Sequence, residues 1–177
     1  MTRTQEKNIA WYLPRPKPDK YKGGMPLWCE EWLLNLGRQL LCNDDAKILN
    51  LFCGMNKYGM RVDIRPDVKP DVCCDAHELT KHISETFDII LADPPYSNDE
   101  SRNLYGTKRL NYKKWTSEAT LLLNPGGLLI VYHKYIMPNP DPEKYEVMKR
   151  VFIGTRVYHH ARIALYFRKK ANNLPTS

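Results

Sequence analysis

The chain has 177 residues, a length that suits one folded domain, 1–177, and leaves little room for a second. No segment reaches the roughly 18 consecutive apolar residues of a membrane helix, and the N-terminus lacks the apolar stretch of a secretory signal. We therefore expect a cytoplasmic protein with no membrane partner. The five cysteines are irregularly spaced and form no CxxC pair, so the sequence predicts neither a disulfide framework nor a metal site.

The net charge of +7 is distributed unevenly along the chain. Residues 1–99 carry 13 Lys and Arg against 15 Asp and Glu, whereas residues 100–177 carry 14 against 5. Basic clusters of this kind indicate a polyanionic partner, most often nucleic acid. A basic surface that is merely solvated is the alternative explanation.

The first elements in chain order are an arm, a helix and a series of short strands. The arm, residues 1–26, is rich in proline and lysine, which predicts an irregular or polyproline-like conformation. Helical spacing of Trp28, Trp32, Leu36 and Leu40 predicts an amphipathic helix over residues 27–41. Strands are then predicted at 47–54, 60–64, 70–75 and 87–93, with a short helix at 77–86.

The second half of the chain continues the alternation. A polar loop over 97–112, a helix over 113–123, a strand over 128–134, a short helix over 141–151 and an antiparallel strand hairpin around His159 and His160 are predicted. This order predicts an α/β fold with a largely parallel sheet and an antiparallel pair at its end. Ligands of such sheets bind beyond the carboxyl ends of the strands.

Four residues at those carboxyl ends suggest a division of roles. Gly54 allows the backbone to approach a ligand closely, and Asp63 lies where this architecture places an acid that accepts hydrogen bonds from ribose hydroxyls. Asp75 is placed to accept a hydrogen bond from an exocyclic amine. The pattern predicts a pocket for an adenosine-containing cofactor, with Asp93 at its reactive end. Ordinary turn chemistry is the alternative explanation for Asp63 and Asp75.

The segment FDIILADPPY, residues 87–96, joins a strand apolar enough to be buried on both faces to an acid, two prolines and an aromatic ring. The prolines fix φ and remove two backbone donors, so the chain leaves the sheet in a rigid, extended conformation. Together with NLFCG, VDI, CCDAHEL and NPGGLLIV, this segment resembles the class I S-adenosylmethionine-dependent methyltransferases, which have a Rossmann-like sheet. DPPY in particular is similar to the motif of amino-methyltransferases that act on adenine N6. The resemblance covers roughly residues 20–168.

The resemblance implies S-adenosyl-L-methionine as cofactor and adenine N6 in nucleic acid as target, with DNA favoured over RNA. Asp93 and the carbonyl of Pro94 would accept hydrogen bonds from the target amine, Pro95 would keep the segment rigid, and Tyr96 would stack on the flipped base. The implied cofactor-binding residues are Asn50, Phe52, Cys53, Gly54, Asp63, Ile64, Asp75, Ala76 and Asp93, together with Lys22 and Gly23 of the arm.

The sequence departs from the family's pattern in two ways. The helix that usually follows the first strand is reduced to a turn over residues 54–59, and we expect no separate target-recognition domain. Nucleic acid would therefore be held by loops, and a homodimer is one way to enlarge that surface. The candidate contacts combine basic and aromatic neighbours. They are Arg102, Lys108, Arg109, Lys113, Lys114 and Arg162.

Two other functions fit the same residues. Related tetrapeptides serve other amines, so a guanine N2 or cytosine N4 methyltransferase, acting for example on ribosomal RNA, is one alternative. The other is a non-catalytic, nucleic-acid-binding subunit of a methyltransferase. A protein-glutamine enzyme is disfavoured because that family usually has Asn in place of Asp93, and because it would leave the basic half of the chain without a role.

Overall fold

The structure is a computed structural model that describes residues 11–12, 24–96, 110–154 and 160–171. Two α-helices are present in these ranges, α1 (Cys29–Leu41) and α2 (Tyr112–Leu122). The strands are β1 (Trp11–Tyr12), β2 (Ile48–Leu51), β3 (Met60–Asp63), β4 (Val72–Cys73), β5 (Phe87–Ala92), β6 (Leu123–His133), β7 (Tyr145–Gly154) and β8 (Arg162–Lys169). Short 3₁₀ helices span Pro66–Val68 and Ala76–Lys81.

The described strands form one sheet in the order β1-β7-β8-β6-β5-β2-β3-β4. Strand β8 runs antiparallel to β6 and β7, and the other neighbours are parallel. The predicted α/β sheet with a C-terminal antiparallel pair is thereby confirmed. Strand order reverses between β2 and β5, where Leu51 pairs with Ala92. A ligand site is expected beyond this pair, because the loops that leave the two strands diverge there.

The sheet is covered on both faces, and β5 is buried between the two layers. Ile89 and Leu91 face the α1 side, whereas Ile90 and Ala92 face the α2 side. All four side chains are fully buried, as the continuous apolar run predicts. On the α1 side, Gly37 brings the helix backbone close to the sheet, since an added Cβ would lie 3.1 Å from Ile89 Cδ1.

Helix α1 differs from its prediction in where it begins and which face it buries. It begins at Cys29, after Trp28, which has a left-handed φ of 63° and is 66 % exposed. The buried stripe consists of Cys29, Leu33, Leu34 and Gly37. Of the predicted stripe, Trp28 lies outside the helix, and the other three residues are half-buried at the border of this face. Small residues at both ends of the buried stripe allow the helix to pack closely against the sheet.

The helix predicted over residues 141–151 is wrong, because residues 145–154 form β7. The strand pairs with β8 from Tyr145 to Ile153, with a register shift between Val147 and Lys149. A bulge of this kind moves the alternation of side chains by one residue. The apolar positions of a bulged strand therefore imitate helical spacing, which explains the error.

Two further elements differ from their predictions. The arm is not irregular throughout, since Trp11 and Tyr12 pair in parallel with the end of β7. The helix predicted over 77–86 is a shorter 3₁₀ helix. Within the described residues, no helix combines the length and the apolar character needed to cross a bilayer.

Candidate active site

Backbone hydrogen bonds join the predicted site residues at the carboxyl edge of the sheet. The Asp93 N–H donates to the Leu51 carbonyl over 3.4 Å, and the Cys74 N–H donates to the Asp63 carbonyl over 3.1 Å. The Gly54 N–H donates to the Asp63 carboxylate over 2.9 Å. The structure therefore brings together the tips of β2, β3, β4 and β5, as the sequence predicts.

The β2–β3 loop, residues 52–59, replaces a helix with a tight turn, as predicted. Phe52, Gly54 and Gly59 all have left-handed φ angles, of 55°, 46° and 73°. The Phe52 ring packs edge-on against Trp115 of α2 at 5.4 Å between centroids, and the Cys53 side chain is buried. Both side chains anchor the loop in the core. The backbone of the loop is itself held by hydrogen bonds within the protein, among them the Gly54 N–H to the Asp63 carboxylate.

Glu30, in the first turn of α1, holds the β2–β3 loop in place. Its carboxylate accepts hydrogen bonds from the N–H groups of Lys57 and Tyr58, each at 3.0 Å, and from the Asn50 amide at 2.7 Å. Burial raises the pKa of Glu30, and these hydrogen bonds oppose the shift. The Asn50 side chain is fully buried and also accepts a hydrogen bond from Asn56, so it supports the loop from beneath.

Arg61 of β3 is a second clamp on the same loop. Its guanidinium donates to the carbonyls of Gly54 and Asn56 within the loop and to those of Val68 and Lys69 in the following turn, at 2.7–2.9 Å. Four charge-assisted hydrogen bonds to fixed carbonyls hold the loop more firmly than neutral contacts would. Neither Glu30 nor Arg61 is identified as a site residue by the sequence. In the sequence, Glu30 is an acid in the first turn of a predicted helix and Arg61 is a polar residue of a predicted strand.

Asp63 is the best-positioned acid for a cofactor hydroxyl. It is half-buried, and its two oxygens accept hydrogen bonds from the Gly54 N–H and from the Arg65 N–H at 2.9 and 3.0 Å. A carboxylate has about four acceptor sites, so it retains capacity for a ligand. The adjacent Ile64 side chain is 42 % exposed at the same edge.

Asp75 has a clear structural role in addition to the predicted one. Its carboxylate caps the 3₁₀ helix by accepting from the His77 N–H at 2.9 Å, and it lies 2.8 Å from His77 Nδ1. Asp75 is exposed and Ala76 is buried. Lys22 and Gly23, the predicted contacts from the arm, lie outside the described residues.

The DPPY segment forms a closed cluster with Arg162. The Tyr96 hydroxyl donates to Asp93 Oδ1 at 3.0 Å and accepts from Arg162 Nε at 3.3 Å. The Arg162 guanidinium also lies 4.8 Å from the centroid of the Tyr96 ring. Pro94 is buried, whereas Asp93, Pro95 and Tyr96 are half-buried. Tyr96 thus holds the oxygen at which the target amine is predicted to bind, and Arg162 covers its ring.

His133, the last residue of β6, positions the DPPY segment from behind. Its Nδ1 accepts from the Tyr135 N–H at 3.0 Å, and its ring bonds to the backbone of Pro95, which offers only a carbonyl. Nε2 is therefore the donor of a neutral imidazole. Burial, followed by the charge of Lys134, lowers the pKa of His133 to about 4. The sequence flags this residue only as a polar strand end.

We expect His133 to make the fold sensitive to acid. A pKa of about 4 in the folded chain, against 6.5 for an ordinary histidine, favours the folded state above pH 6.5. As the pH falls from 6.5 to 4, the unfolding free energy should decrease by up to about 3 kcal/mol. Urea denaturation at several pH values measures this slope, which His133→Asn should flatten. His82 is exposed, so His82→Asn is the control and should keep the wild-type dependence of the unfolding free energy on pH. The same dependence in His133→Asn would show that His133 is not the source of the acid sensitivity.

The predicted nucleic-acid contacts are only partly brought to the site. Arg162 contacts Tyr96 directly. Lys113 and Lys114 are exposed in the first turn of α2, which begins after the cap residue Asn111. Arg102, Lys108 and Arg109 lie outside the described residues.

Solved structures of methyltransferases share this architecture. No family model matches the sequence, and no curated protein matches it either. TrmN from Thermus thermophilus superposes with a TM-score of 0.58 at 16 % identity, over 84 % of this chain and 50 % of TrmN. The N-methyltransferase NodS from Bradyrhizobium japonicum WM9 superposes at 0.55 and 13 % identity, over 80 % of this chain and 94 % of NodS. The chain has the Rossmann-like fold of class I methyltransferases.

A ligand-bound structure of NodS also matches this chain. NodS in complex with S-adenosyl-L-homocysteine superposes with a TM-score of 0.56 at 14 % identity, over 79 % of this chain and 85 % of NodS. The chain spans half the length of TrmN but most of the length of NodS. At these identities the likeness establishes the fold alone.

Proposed function

We propose that the protein transfers a methyl group from S-adenosyl-L-methionine to the N6 amino group of adenine in nucleic acid, with DNA favoured over RNA. The observation that carries this proposal is the position of Asp93 and Pro94 at the tip of β5, beside the end of β2 where the strand order reverses. In this architecture the ligand binds between the loops that leave the strands where their order reverses, and Asp93 and Pro94 begin one of those loops. The likeness to NodS, an N-methyltransferase, supports the choice of a nitrogen acceptor.

The residues around the β2–β3 loop fit an adenosine-containing cofactor. In this proposal the Asp63 carboxylate accepts hydrogen bonds from the ribose hydroxyls, and the Gly54 N–H holds that carboxylate in position. Asp75 is placed for the exocyclic amine of the cofactor's adenine. When bound, the cofactor supplies an electrophilic methyl group on a sulfonium. The clamps at Glu30 and Arg61 hold the loop still, so binding costs little ordering of the protein.

Methyl transfer requires the lone pair of the target nitrogen to point at the methyl group, and in this proposal Asp93 and Pro94 orient it. The lone pair of an exocyclic amine is delocalised into the base, and two acceptors on its hydrogens turn it toward the methyl group. The nitrogen–carbon bond forms as the sulfur–carbon bond breaks, and the nitrogen becomes positive. The Asp93 carboxylate and the Pro94 carbonyl stabilise that charge, and the excess proton passes to Asp93 or to water. The target amine replaces the Tyr96 hydroxyl as the donor to Asp93 Oδ1.

Transfer of labelled methyl groups to unmethylated DNA, total RNA and protein in parallel tests this proposal, with nucleoside mass analysis of the products. We expect the label in DNA, as N6-methyladenine. Label in N2-methylguanine or N4-methylcytosine would contradict the choice of base. Cofactor binding without transfer to any pool would favour the non-catalytic subunit.

Asp63→Ala is expected to weaken cofactor binding rather than slow the transfer step. Loss of acceptors for the ribose hydroxyls and for the Gly54 N–H should raise the Kd at least about tenfold. Isothermal titration with S-adenosyl-L-homocysteine measures it. Asp67→Ala is the matched control, because Asp67 is an exposed acid nearby that pairs with Arg65. An unchanged Kd in Asp63→Ala would contradict the ribose role.

A further inference from the structure

The chain that follows β6 presents large exposed side chains beside the DPPY segment. Tyr135 is 57 % exposed and Ile136 is 61 % exposed, directly after the buried His133. Lys134 Nζ lies 5.8 Å from the centroid of the Tyr96 ring and 5.1 Å from that of Tyr135. We call Lys134, Tyr135, Ile136 and Arg162 the β6 rim.

The β6 rim is continuous with the cluster around Asp93. Ring centroids are 5.0 Å apart between Tyr96 and His133 and 5.4 Å apart between His133 and Tyr135, and the Arg162 guanidinium lies over the Tyr96 ring. The backbone of Tyr135 is fixed by its hydrogen bond to His133. Tyr135 thus presents a ring to solvent from a held position, which lowers the entropy cost of stacking on it.

The charge of the β6 rim suits a polyanion. Lys134 and Arg162 contribute two cations within a few ångströms of the aromatic rings. Across the described ranges, no Asp or Glu forms an ion pair with Lys134. Cations interleaved with aromatic rings are the pattern that binds single-stranded nucleic acid, since bases stack on the rings and phosphates meet the charges.

We propose that the β6 rim holds an unpaired strand of nucleic acid, with Tyr135 stacked on the base next to the target and Lys134 and Arg162 on the flanking phosphates. This inference rests on the proposed function and adds the form of its substrate. Stacking on Tyr135 requires a base whose face is uncovered, which an unpaired strand offers and an intact duplex does not. An unpaired strand also avoids most of the cost of extruding a base from a helix.

The proposal links strand binding to the catalytic segment. In this structure Arg162 covers the Tyr96 ring and donates to its hydroxyl. A phosphate that attracts Arg162 and Lys134 draws both cations away from Tyr96. The Tyr96 ring is then uncovered and can stack on the target base, whose amine takes the place of the Tyr96 hydroxyl as donor to Asp93. Strand binding therefore prepares the site that the target base enters.

Fluorescence anisotropy with labelled 12-nucleotide probes tests the proposal. The probes are a mixed-sequence DNA strand, the RNA of the same sequence and the matching DNA duplex, each titrated at several salt concentrations. The wild-type protein should bind the single strands more tightly than the duplex. Lys134→Ala combined with Tyr135→Ala should weaken single-strand binding at least about tenfold, whereas Tyr135→Phe should not. Lys134→Ala alone should reduce the salt slope by about 0.7.

Two controls separate this proposal from the function on which it rests. Lys170→Ala removes an exposed cation at the opposite edge of the sheet and should bind as wild type does. An unchanged Kd for S-adenosyl-L-homocysteine shows that each variant is folded. Wild-type affinity in the double variant, or equal affinity for duplex and single strand, would overturn the β6 rim proposal alone. Binding of none of the probes by the wild-type protein would overturn both proposals.

Discussion

Replacement of Asp93 by alanine is expected to abolish detectable methyl transfer while cofactor affinity stays within about twofold of wild type. Asp93 follows the buried strand β5, and its Oδ1 accepts the hydrogen bond of the Tyr96 hydroxyl that the target amine would take over. Removal of a fixed acceptor that stabilises transition-state charge lowers kcat by about a hundredfold to a thousandfold. Single-turnover transfer of labelled methyl groups measures the loss.

The matched variant Asp93→Asn separates orientation from charge. Asparagine keeps one carbonyl acceptor for the amine but loses the negative charge and the site for the proton. We expect a kcat between those of the wild type and Asp93→Ala, with the same Kd for S-adenosyl-L-homocysteine. Wild-type turnover in Asp93→Ala would remove Asp93 from the mechanism.

Local sequence signals predicted the sheet and the residues at its edge. The run from Phe87 to Ala92 is apolar at nearly every position, as a strand buried on both faces requires, and DPPY follows it directly in the sequence. The glycine and acids that end the other strands are also local signals. They placed Gly54, Asp63, Asp75 and Asp93 at the carboxyl edge of the sheet, whereas the order of the strands came only from the structure.

The residues that hold the site were missed because their partners are distant in sequence. Glu30 contacts residues 27 and 28 positions further along the chain, and in the sequence it reads as an acid that favours the start of a helix. His133 reads as a polar strand end until its contacts with Pro95 and Tyr135 are seen. The bulge in β7 shifts the alternation of its side chains, so the sequence of this strand shows the spacing of a helix.

These misses have a common physical origin. Where the resemblance predicts a helix after the strand β2, this chain has only the β2–β3 loop. A loop lacks the internal hydrogen bonds of a helix, so its shape must be imposed by side chains from elsewhere, here Glu30 and Arg61. The shape of the loop then depends on how closely its backbone packs against β2. Gly59 packs directly against Ile48 of that strand.

Gly59→Ala should therefore destabilise the protein strongly. Gly59 has a φ of 73°, and an added Cβ would lie 2.4 Å from the Ile48 carbonyl oxygen and 2.7 Å from its Cβ. Relief of this clash would require β2 to move, which is costly because Ile48 pairs with Ile89 in the centre of the sheet. We expect the unfolding free energy to fall by about 3 kcal/mol or more, measured by urea denaturation. The Kd for S-adenosyl-L-homocysteine should rise as well, because the loop is displaced.

Gly126→Ala distinguishes steric collision from backbone strain in that result. Gly126 has a comparable φ of 80°, but no atom lies within 4 Å of an added Cβ. This variant carries only the cost of a left-handed alanine, about 1 kcal/mol. It lies at the opposite edge of the sheet, so cofactor affinity should not change. Equal losses of stability in the two variants would show that the approach of Gly59 to Ile48 is not what fixes the loop.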